Sequence, residues 1–217
     1  MEPVPAAAFL FLFIIQLPSS SPSSGSPPCP KCGPTEVPYP LSTDDNCGEP
    51  SYRVHCSTSV NGSTSLEFMS ADGIYYKILS IDPASRRLVV SPPSILKDTC
   101  LSSDLDSGGM RLDEDSPFNI STRNTVMLFN CSKNILASPL NCSSNSLCRQ
   151  YEDSVAVARG CRGSLCCHYL KDSAMTSHRI RVRVGGCTAY TAMVNVNATE
   201  PVESWDYGVE LQWAPPS

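Results

Sequence analysis

The sequence has little charge and no excess of basic residues. Lys and Arg together number 16 against 21 Asp and Glu, and charged residues make up 17% of the chain. Binding to nucleic acid depends on clustered lysine and arginine that contact phosphates. This charge balance therefore excludes a general nucleic-acid-binding protein.

The sequence also lacks a recognisable catalytic motif. None of the histidines, His55, His168 and His178, lies in a nucleophile elbow, a zincin motif or a cysteine-protease context. We interpret each of them as a surface residue. The acidic run 113–115 is typical of a solvated loop rather than of a calcium or catalytic site. We therefore predict that the protein is not an enzyme, with no catalytic residues and no resident metal.

Long apolar runs are missing after the first segment of the chain. Ala6 to Leu17 is apolar apart from Gln16, and small residues follow at 19–26, a pattern typical of a signal peptide. No later stretch approaches the roughly 20 apolar residues that a transmembrane helix needs. We predict that residues 1–25 are a signal peptide and that the protein is secreted. Their removal takes away only the charge of Glu2, so the formal net charge changes from −5 to −4.

Cysteine is abundant, and its even count indicates an oxidising compartment. Cys29 and Cys32 have the C-x-x-C spacing of a redox pair or of half a zinc site, but neither a βαβ context nor a second ligand pair is present. We therefore predict structural disulfides and leave the pairing open. The twelve predicted disulfide cysteines are Cys29, Cys32, Cys47, Cys56, Cys100, Cys131, Cys142, Cys148, Cys161, Cys166, Cys167 and Cys187.

Short alternating segments separated by Gly, Pro, Asn and Asp turns predict a mainly β fold, with disulfide-rich antiparallel sheets and one or two short helices. The predicted strands lie at 52–56, 66–68, 73–81, 87–90, 125–131, 178–184, 188–196 and 207–213, and the predicted helix at 144–153. The acidic, glycine-containing stretch after Cys100 suggests a boundary. We predict one cysteine-rich β domain at 26–102 and a second β module at 103–214.

The stretch from Ser116 to Cys148 combines burial, disulfides and acceptors for N-linked sugar. Its central segment, 125–131, is apolar on both faces until Asn130, which predicts a strand covered on both sides. Neighbouring residues of a strand point to opposite faces. A glycan on Asn130 and a disulfide at Cys131 are therefore compatible.

The segment from Arg179 to Val184 alternates arginine with aliphatic residues. Period-two geometry places Arg179, Arg181 and Arg183 on one face, about 6.6 Å apart along a strand. Guanidinium groups match planar carboxylates, so a linear polyuronate is a suitable ligand. The alternative is an exposed sheet face whose charges deter edge pairing.

Aromatic residues that can stack on sugar rings occur in both halves of the chain. We consider Tyr39, Tyr75, Tyr76 and Trp205 as such residues. The alternative is that they are core residues with a polar group.

In several ordered motifs, the sequence resembles the extracellular part of the plant wall-associated receptor-like kinases. Their galacturonan-binding domain is matched by Cys29-x-x-Cys32-Gly33, Val37-Pro38-Tyr39-Pro40-Leu41, Cys47-Gly48-x-Pro50-x-Tyr52-x-Val54-x-Cys56, Tyr76-x-Ile78-x-x-Ile81, Leu88-x-Val90 and Cys100. The cysteine-rich region that comes next in these receptors is matched by Phe118-Asn119-x-Ser121, Phe129-Asn130-Cys131, Ser138-Pro-Leu-Asn-Cys142, Cys166-Cys167, Gly186-Cys187 and Val209-x-Leu211-x-Trp213.

The resemblance implies a cell-wall pectin ligand, a plasma-membrane receptor context and no catalysis in this part of the protein. The chain departs from the family in two ways. Many relatives have Pro-Phe-Gly where this chain has Pro40-Leu41-Ser42, and this chain ends at Ser217 with neither a transmembrane helix nor a kinase. The expected product is a soluble form or a truncated form of such a receptor. Calcium is the one ion to consider, as a bridge between the ligand and acidic loops.

The resulting hypothesis is binding of de-esterified pectin, or galacturonan, by a secreted or wall-facing ectodomain. Arg179, Arg181, Arg183, Tyr39, Tyr75 and Tyr76 are its candidate ligand-binding residues. The alternative hypothesis is a structural or protein-interaction module that binds a peptide or a co-receptor. Retention on a pectate column distinguishes the two.

Five N-x-Ser/Thr acceptors predict a glycoprotein. We expect Asn61, Asn119, Asn130, Asn141 and Asn197 to be largely glycosylated in a plant-secreted product and therefore exposed. The measurement is the mass shift on enzymatic deglycosylation. Finding most of these sites unmodified would contradict both the exposure and the secretory assignment.

Overall fold

The computed structural model describes residues 26–135, 139–154, 159–182 and 186–216. Within them, ten strands form two antiparallel sheets accompanied by one α-helix. In chain order these elements are β1 (His55–Thr58), β2 (Thr64–Met69), β3 (Tyr75–Asp82), β4 (Arg87–Val90), β5 (Phe118–Ile120), β6 (Asn124–Phe129), α1 (Leu147–Ser154), β7 (Cys167–Leu170), β8 (Ala189–Val194), β9 (Asp206–Tyr207) and β10 (Val209–Trp213). The mainly β, disulfide-rich fold class is confirmed.

The first sheet has six strands in the order β1-β2-β3-β4-β10-β5. Its first four strands form the meander that the turn residues predict. Gly62 and Gly73, in the turns on either side of β2, have φ angles of 83° and 75°. Glycine adopts such left-handed conformations without the steric cost that a Cβ brings. The C-terminal strand β10 then enters between β4 and β5, where Leu211 lies opposite both Leu88 and Ile120.

The second sheet has the order β7-β6-β8-β9, and β6 is its central strand. Every residue of β6 is buried, which confirms the prediction of a strand covered on both sides. Val126 and Leu128 belong to a core shared with the first sheet. Met127 and Phe129 point the other way, into a smaller core beside α1. The chain therefore forms three layers, namely the first sheet, the second sheet and the helix.

The six disulfides use all twelve cysteines, so the prediction that none is free is confirmed. The pairs are Cys29–Cys47, Cys32–Cys56, Cys100–Cys161, Cys131–Cys187, Cys142–Cys167 and Cys148–Cys166. The C-x-x-C cysteines do not pair with each other, which agrees with a structural role. The adjacent residues Cys166 and Cys167 point to opposite faces of a strand and thus reach different partners. The first of them fastens β7 to α1.

A buried carboxylate joins the two sheets. Asp104 is 1% exposed, and its Oδ2 accepts hydrogen bonds from the hydroxyls of Tyr76 on β3 (3.0 Å) and Tyr190 on β8 (2.9 Å). Burial raises the pKa of Tyr190 well above its usual value, and the nearby Tyr76 and Asp104 contribute. The hydroxyl therefore keeps its proton and remains a donor.

Three predictions from the sequence need correction. In the segment predicted as a strand at 178–184, the described residues 178–182 make only an isolated bridge, Arg111 with Arg179, and residues 183 and 184 lie outside the described residues. Strands β5 and β7 are not among the predicted strands, because three and four residues are too few to show a periodic pattern. Alternation over 207–213 predicts that Tyr207 points inward with Val209, Leu211 and Trp213, but Tyr207 is 47% exposed, because Gly208 (φ 141°) interrupts the strand.

The predicted boundary near residue 102 falls inside a continuous structure. Strands from 26–102 and from 103–214 lie side by side in the first sheet, and the larger core contains residues of both segments. The division into two modules therefore stays a prediction. No helix in the described ranges is long and apolar enough to cross a membrane.

Replacing Tyr190 by Phe should lower the free energy of unfolding by about 1–3 kcal/mol, because the buried Asp104 loses one of its two donors. The measurement is guanidinium unfolding with the disulfides intact. Tyr207→Phe is the matched control, since it removes an exposed hydroxyl and should change the free energy by less than about 0.5 kcal/mol. Equal unfolding midpoints for the parent and Tyr190→Phe would contradict a structural role of the carboxylate.

Candidate functional site

The outer face of strands β1 to β3 is polar and faces away from the core. The cross-strand register places His55, Glu67 and Lys77 side by side on it. The neighbouring residues Leu66 and Tyr76 point inward and are buried. This alternation is the one expected of a sheet with one covered face and one wet face.

An aromatic pair and an exposed methionine lie at one end of this face. Tyr75 is 51% exposed, and the ring of His55 meets it edge to face with centroids 5.1 Å apart. Met69 lies directly opposite Tyr75 in the sheet and is 41% exposed. A ring held in place by a second ring and open to solvent suits stacking against the apolar face of a sugar.

A pocket of about 250 Å³ lies beside these residues, where β1 begins and β2 ends. Most of its lining side chains are polar or charged, and the lining residues are Ser51, Arg53, His55, Phe68, Met69, Ser70, Ala71, Asp113, Ser116 and Phe118. Arg53 forms an ion pair with Asp45, which fixes the guanidinium at the pocket. Nε2 of His55 is buried and has no hydrogen-bond partner among the described residues.

Asp72, in the turn between β2 and β3, is ion-paired with Arg111 and lies within electrostatic range of Arg179. Nε of Arg111 donates to the carboxylate of Asp72 at 3.1 Å, and a second guanidinium nitrogen bonds the other oxygen. Hydrogen bonding by Arg111 holds the pKa of Asp72 below its usual value, and the charges of Arg111 and Arg179 contribute. Because Asp72 is ionised, the three side chains carry a net charge of +1. This cluster adjoins the turn that leads into Tyr75.

The arginine series is partly placed by the structure. Ile180 and Val182 are buried while Arg181 is exposed, so the alternation predicted there is observed. The segment is held by backbone bonds to 108–112, such as the bond from Ile180 N to Met110 O. This pairing places Arg179 opposite Arg111 and therefore near Asp72. Neither Arg179 nor Arg181 forms an ion pair with another described residue, and Arg183 lies outside the described residues.

The aromatic candidates divide between the surface and the core. Tyr39 is 43% exposed, its hydroxyl donates to Glu49 at 2.7 Å, and it does not line the pocket. Tyr76 is 3% exposed and bonds Asp104, which leaves no ring face for a ligand. Trp205 is 8% exposed and donates through Nε1 to the carbonyl of Asn197. Of the four, Tyr75 and Tyr39 remain accessible.

The interpretation of all histidines as surface residues is wrong for His168. This residue is 8% exposed in β7, and its backbone forms a bridge with Asn141. Burial lowers the pKa of His168, so it is neutral at pH 7. His55 and His178 are partly exposed.

The predicted glycosylation sites differ in how exposed their side chains are. Asn61, Asn130, Asn141 and Asn197 are exposed, whereas Asn119 is half-buried in β5. Asn130 follows β6 with a φ of 50°, and its side-chain amide donates to the hydroxyl of Thr188 at 3.0 Å. Modification itself stays a prediction.

Several residues of the site are not among the candidates predicted from the sequence. His55 is detectable from the alternation around 52–56, because it falls on the face opposite Val54 and Cys56. Asp72 and Arg111 are 39 positions apart and carry no local signal of their contact. Only the folded chain brings them together.

Comparison with known proteins gives a consistent result. Residues 27–92 match the family model described as wall-associated receptor kinase galacturonan-binding. The chain is 40% identical over 198 residues to wall-associated receptor kinase-like 20 of Arabidopsis thaliana, a match that covers 88% of this chain and 29% of that protein. It is 39% identical over 196 residues to wall-associated receptor kinase-like 15 of the same plant, covering 87% of this chain and 30% of that protein. No solved structure matches the chain significantly.

The matched family model contains β1 to β4 and most residues of the pocket, while Arg111 and Arg179 lie beyond it. The chain spans less than a third of the length of the relatives it matches. At residues 27–92 the chain therefore carries a domain of the wall-associated receptor kinase galacturonan-binding family, within a longer segment that is similar to part of two wall-associated receptor kinase-like proteins.

Proposed function

We propose that this chain binds galacturonan, the de-esterified acidic polysaccharide of pectin, at the outer face of β1 to β3 and the adjoining arginines. The proposal rests on the position of Asp72, which precedes Tyr75 by three residues in the family-matched domain and is bonded by Arg111, with Arg179 nearby, from beyond that domain. The chain acts as an extracellular binding module, at the cell wall or the plasma membrane, and not as a catalyst.

The electrostatics of the face support an anionic ligand that binds through several weak contacts. Arg53 and Arg111 are each neutralised by an aspartate, so they contribute shape and hydrogen-bond donors more than net charge. Arg179 and Arg181 carry the charge that is not paired within the described residues. A polymer with regularly repeated carboxylates can contact both at once, and such binding weakens as salt screens the charges.

The aromatic end of the face supports a sugar rather than a simple anion. Tyr75 offers an exposed ring, while the pocket beside it offers hydroxyls of Ser51, Ser70 and Ser116 and the unpartnered Nε2 of His55. Binding sites of this kind combine an apolar surface with a few fixed polar groups that set orientation. Calcium remains a proposed bridge between ligand carboxylates and acidic residues such as Asp113, so binding is to be measured with calcium and with a chelator.

The double variant Arg179→Gln/Arg181→Gln tests the charge contribution. We expect its affinity for de-esterified polygalacturonate at low salt to fall about two- to thirtyfold, since exposed ion pairs contribute about 0.2–1 kcal/mol each. Calorimetric titration measures it, with the salt dependence as a second readout. Arg162→Gln/Lys97→Gln removes the same charge from exposed positions near the Cys100–Cys161 disulfide and should bind like the parent. Unchanged affinity in the first variant would contradict the proposed site.

Replacing Asp72 by Asn tests whether a higher net positive charge strengthens galacturonan binding. The change removes the negative charge that neutralises Arg111, so we expect affinity for polygalacturonate at low salt to rise about two- to fivefold, and the gain to shrink as salt increases. The same titration measures it. Asp153→Asn makes the same charge change on α1, in the layer opposite the first sheet, and should have no such effect. Weaker binding by Asp72→Asn, or an equal gain in the control, would argue against ligand contact with Arg111.

A further inference from the structure

A second pocket lies on the same outer sheet face, at the junction with the edge of the second sheet. Its volume is about 240 Å³, and its lining residues are Leu79, Ser80, Val89, Arg123, Val194, Asp206, Tyr207 and Glu210. Leu79, Ser80 and Val89 come from the galacturonan-binding domain, and the others come from residues beyond it. The pocket therefore exists only where the two parts of the chain meet.

The junction carries closely spaced side chains of both charge signs. Glu210 is 4% exposed and lies between two guanidinium groups, with Oε2 at 3.2 Å from a nitrogen of Arg123 and Oε1 at 3.7 Å from Nε of Arg87. Asp206 is exposed at the rim. Of the residues that line the pocket, Arg123 is cationic and Asp206 and Glu210 are anionic, a formal net charge of −1 that disfavours an anionic ligand.

The rim supplies apolar surface. Tyr207 is 47% exposed and Leu79 is 44% exposed, although both are large and apolar in most of their area. Gly208 between Tyr207 and the buried Val209 has a φ of 141°, and a Cβ at this position would collide with the side chain of Val89. The absence of a side chain at Gly208 therefore lets β10 approach β4 closely and turns Tyr207 outward beside the pocket.

We propose that this junction pocket binds one neutral sugar ring, as a site distinct from the proposed galacturonan face. Guanidinium donors and carboxylate acceptors held side by side match sugar hydroxyls, which both donate and accept hydrogen bonds. Tyr207 and Leu79 match the apolar face of the ring. The pocket is smaller than the roughly 300–1,000 Å³ of sites for drug-sized molecules, so it suits a single ring rather than a chain segment.

The galacturonan face and the junction pocket differ in the ligand that each should prefer. The cluster of Asp72, Arg111 and Arg179 has a net charge of +1 and suits carboxylates, whereas the lining of the junction pocket has a formal net charge of −1 and disfavours them. Methyl β-galactoside and methyl galacturonoside differ at the carbon that carries the carboxylate, so they are matched neutral and anionic probes. Failure of one proposal therefore leaves the other unaffected.

The test measures binding of methyl β-galactoside to the complete chain after enzymatic deglycosylation. Ligand-observed and protein-observed NMR are the two readouts. Deglycosylation is needed because Asn119 lies opposite Gln212 on this sheet face, where an attached glycan would compete. We expect saturable binding that Tyr207→Ala weakens about three- to tenfold, with polygalacturonate binding unchanged. Tyr75→Ala is the reciprocal control, which should weaken polygalacturonate binding and leave the galactoside unaffected.

Two results would overturn the proposal. The first is an absence of saturable galactoside binding up to the solubility limit of the probe. The second is equal weakening of galactoside binding by Tyr75→Ala and Tyr207→Ala, which would assign the sugar to the galacturonan face. Asp206→Ala provides a second variant at an exposed position, where we expect the fold to be retained, and it should weaken binding of the galactoside alone.

Discussion

The pairing of β10 with β4 and β5 is the contact on which the rest of the molecule depends. No disulfide joins residues 27–92 to the remainder of the chain, because both cystines of this segment are internal to it. The last strand, the shared core and the hydrogen bonds of Asp104 therefore hold the galacturonan-binding domain against the residues beyond it. Non-covalent contacts therefore hold the two parts of the chain together, and the disulfides stabilise each part internally.

Both proposed binding sites depend on this union. Arg179 reaches Asp72 because its segment runs along 108–112, which in turn lies against the turn between β2 and β3. The junction pocket needs Val89 from one part and Glu210 from the other. A domain of 27–92 alone would keep Tyr75 and His55 but lose the arginine charge and the second pocket. In both proposed sites, the residues beyond the family match therefore contribute to recognition as well as to stability.

Much of the architecture is readable from local pattern. The turns at Gly62 and Gly73, the doubly buried strand β6 and the pairing of all cysteines follow from periodicity, glycine placement and an even cysteine count. The same reasoning fails for Tyr76 and His168, whose burial depends on contacts far away in the sequence. It also fails for β7, a short strand that is defined by its hydrogen bonds to β6 rather than by its composition.

By itself the sequence determined the mainly β class and the alternating faces of most of its strands, because these depend on composition and on neighbours a few residues apart. The tertiary structure alone decided which cysteines pair, which tyrosines stay exposed and which arginines keep unpaired charge. Glu210 illustrates the reason, since it alternates as an outward residue and yet is buried when Arg87 and Arg123 cover it. Burial and charge neutralisation are sums over distant neighbours, which only the folded chain brings within contact.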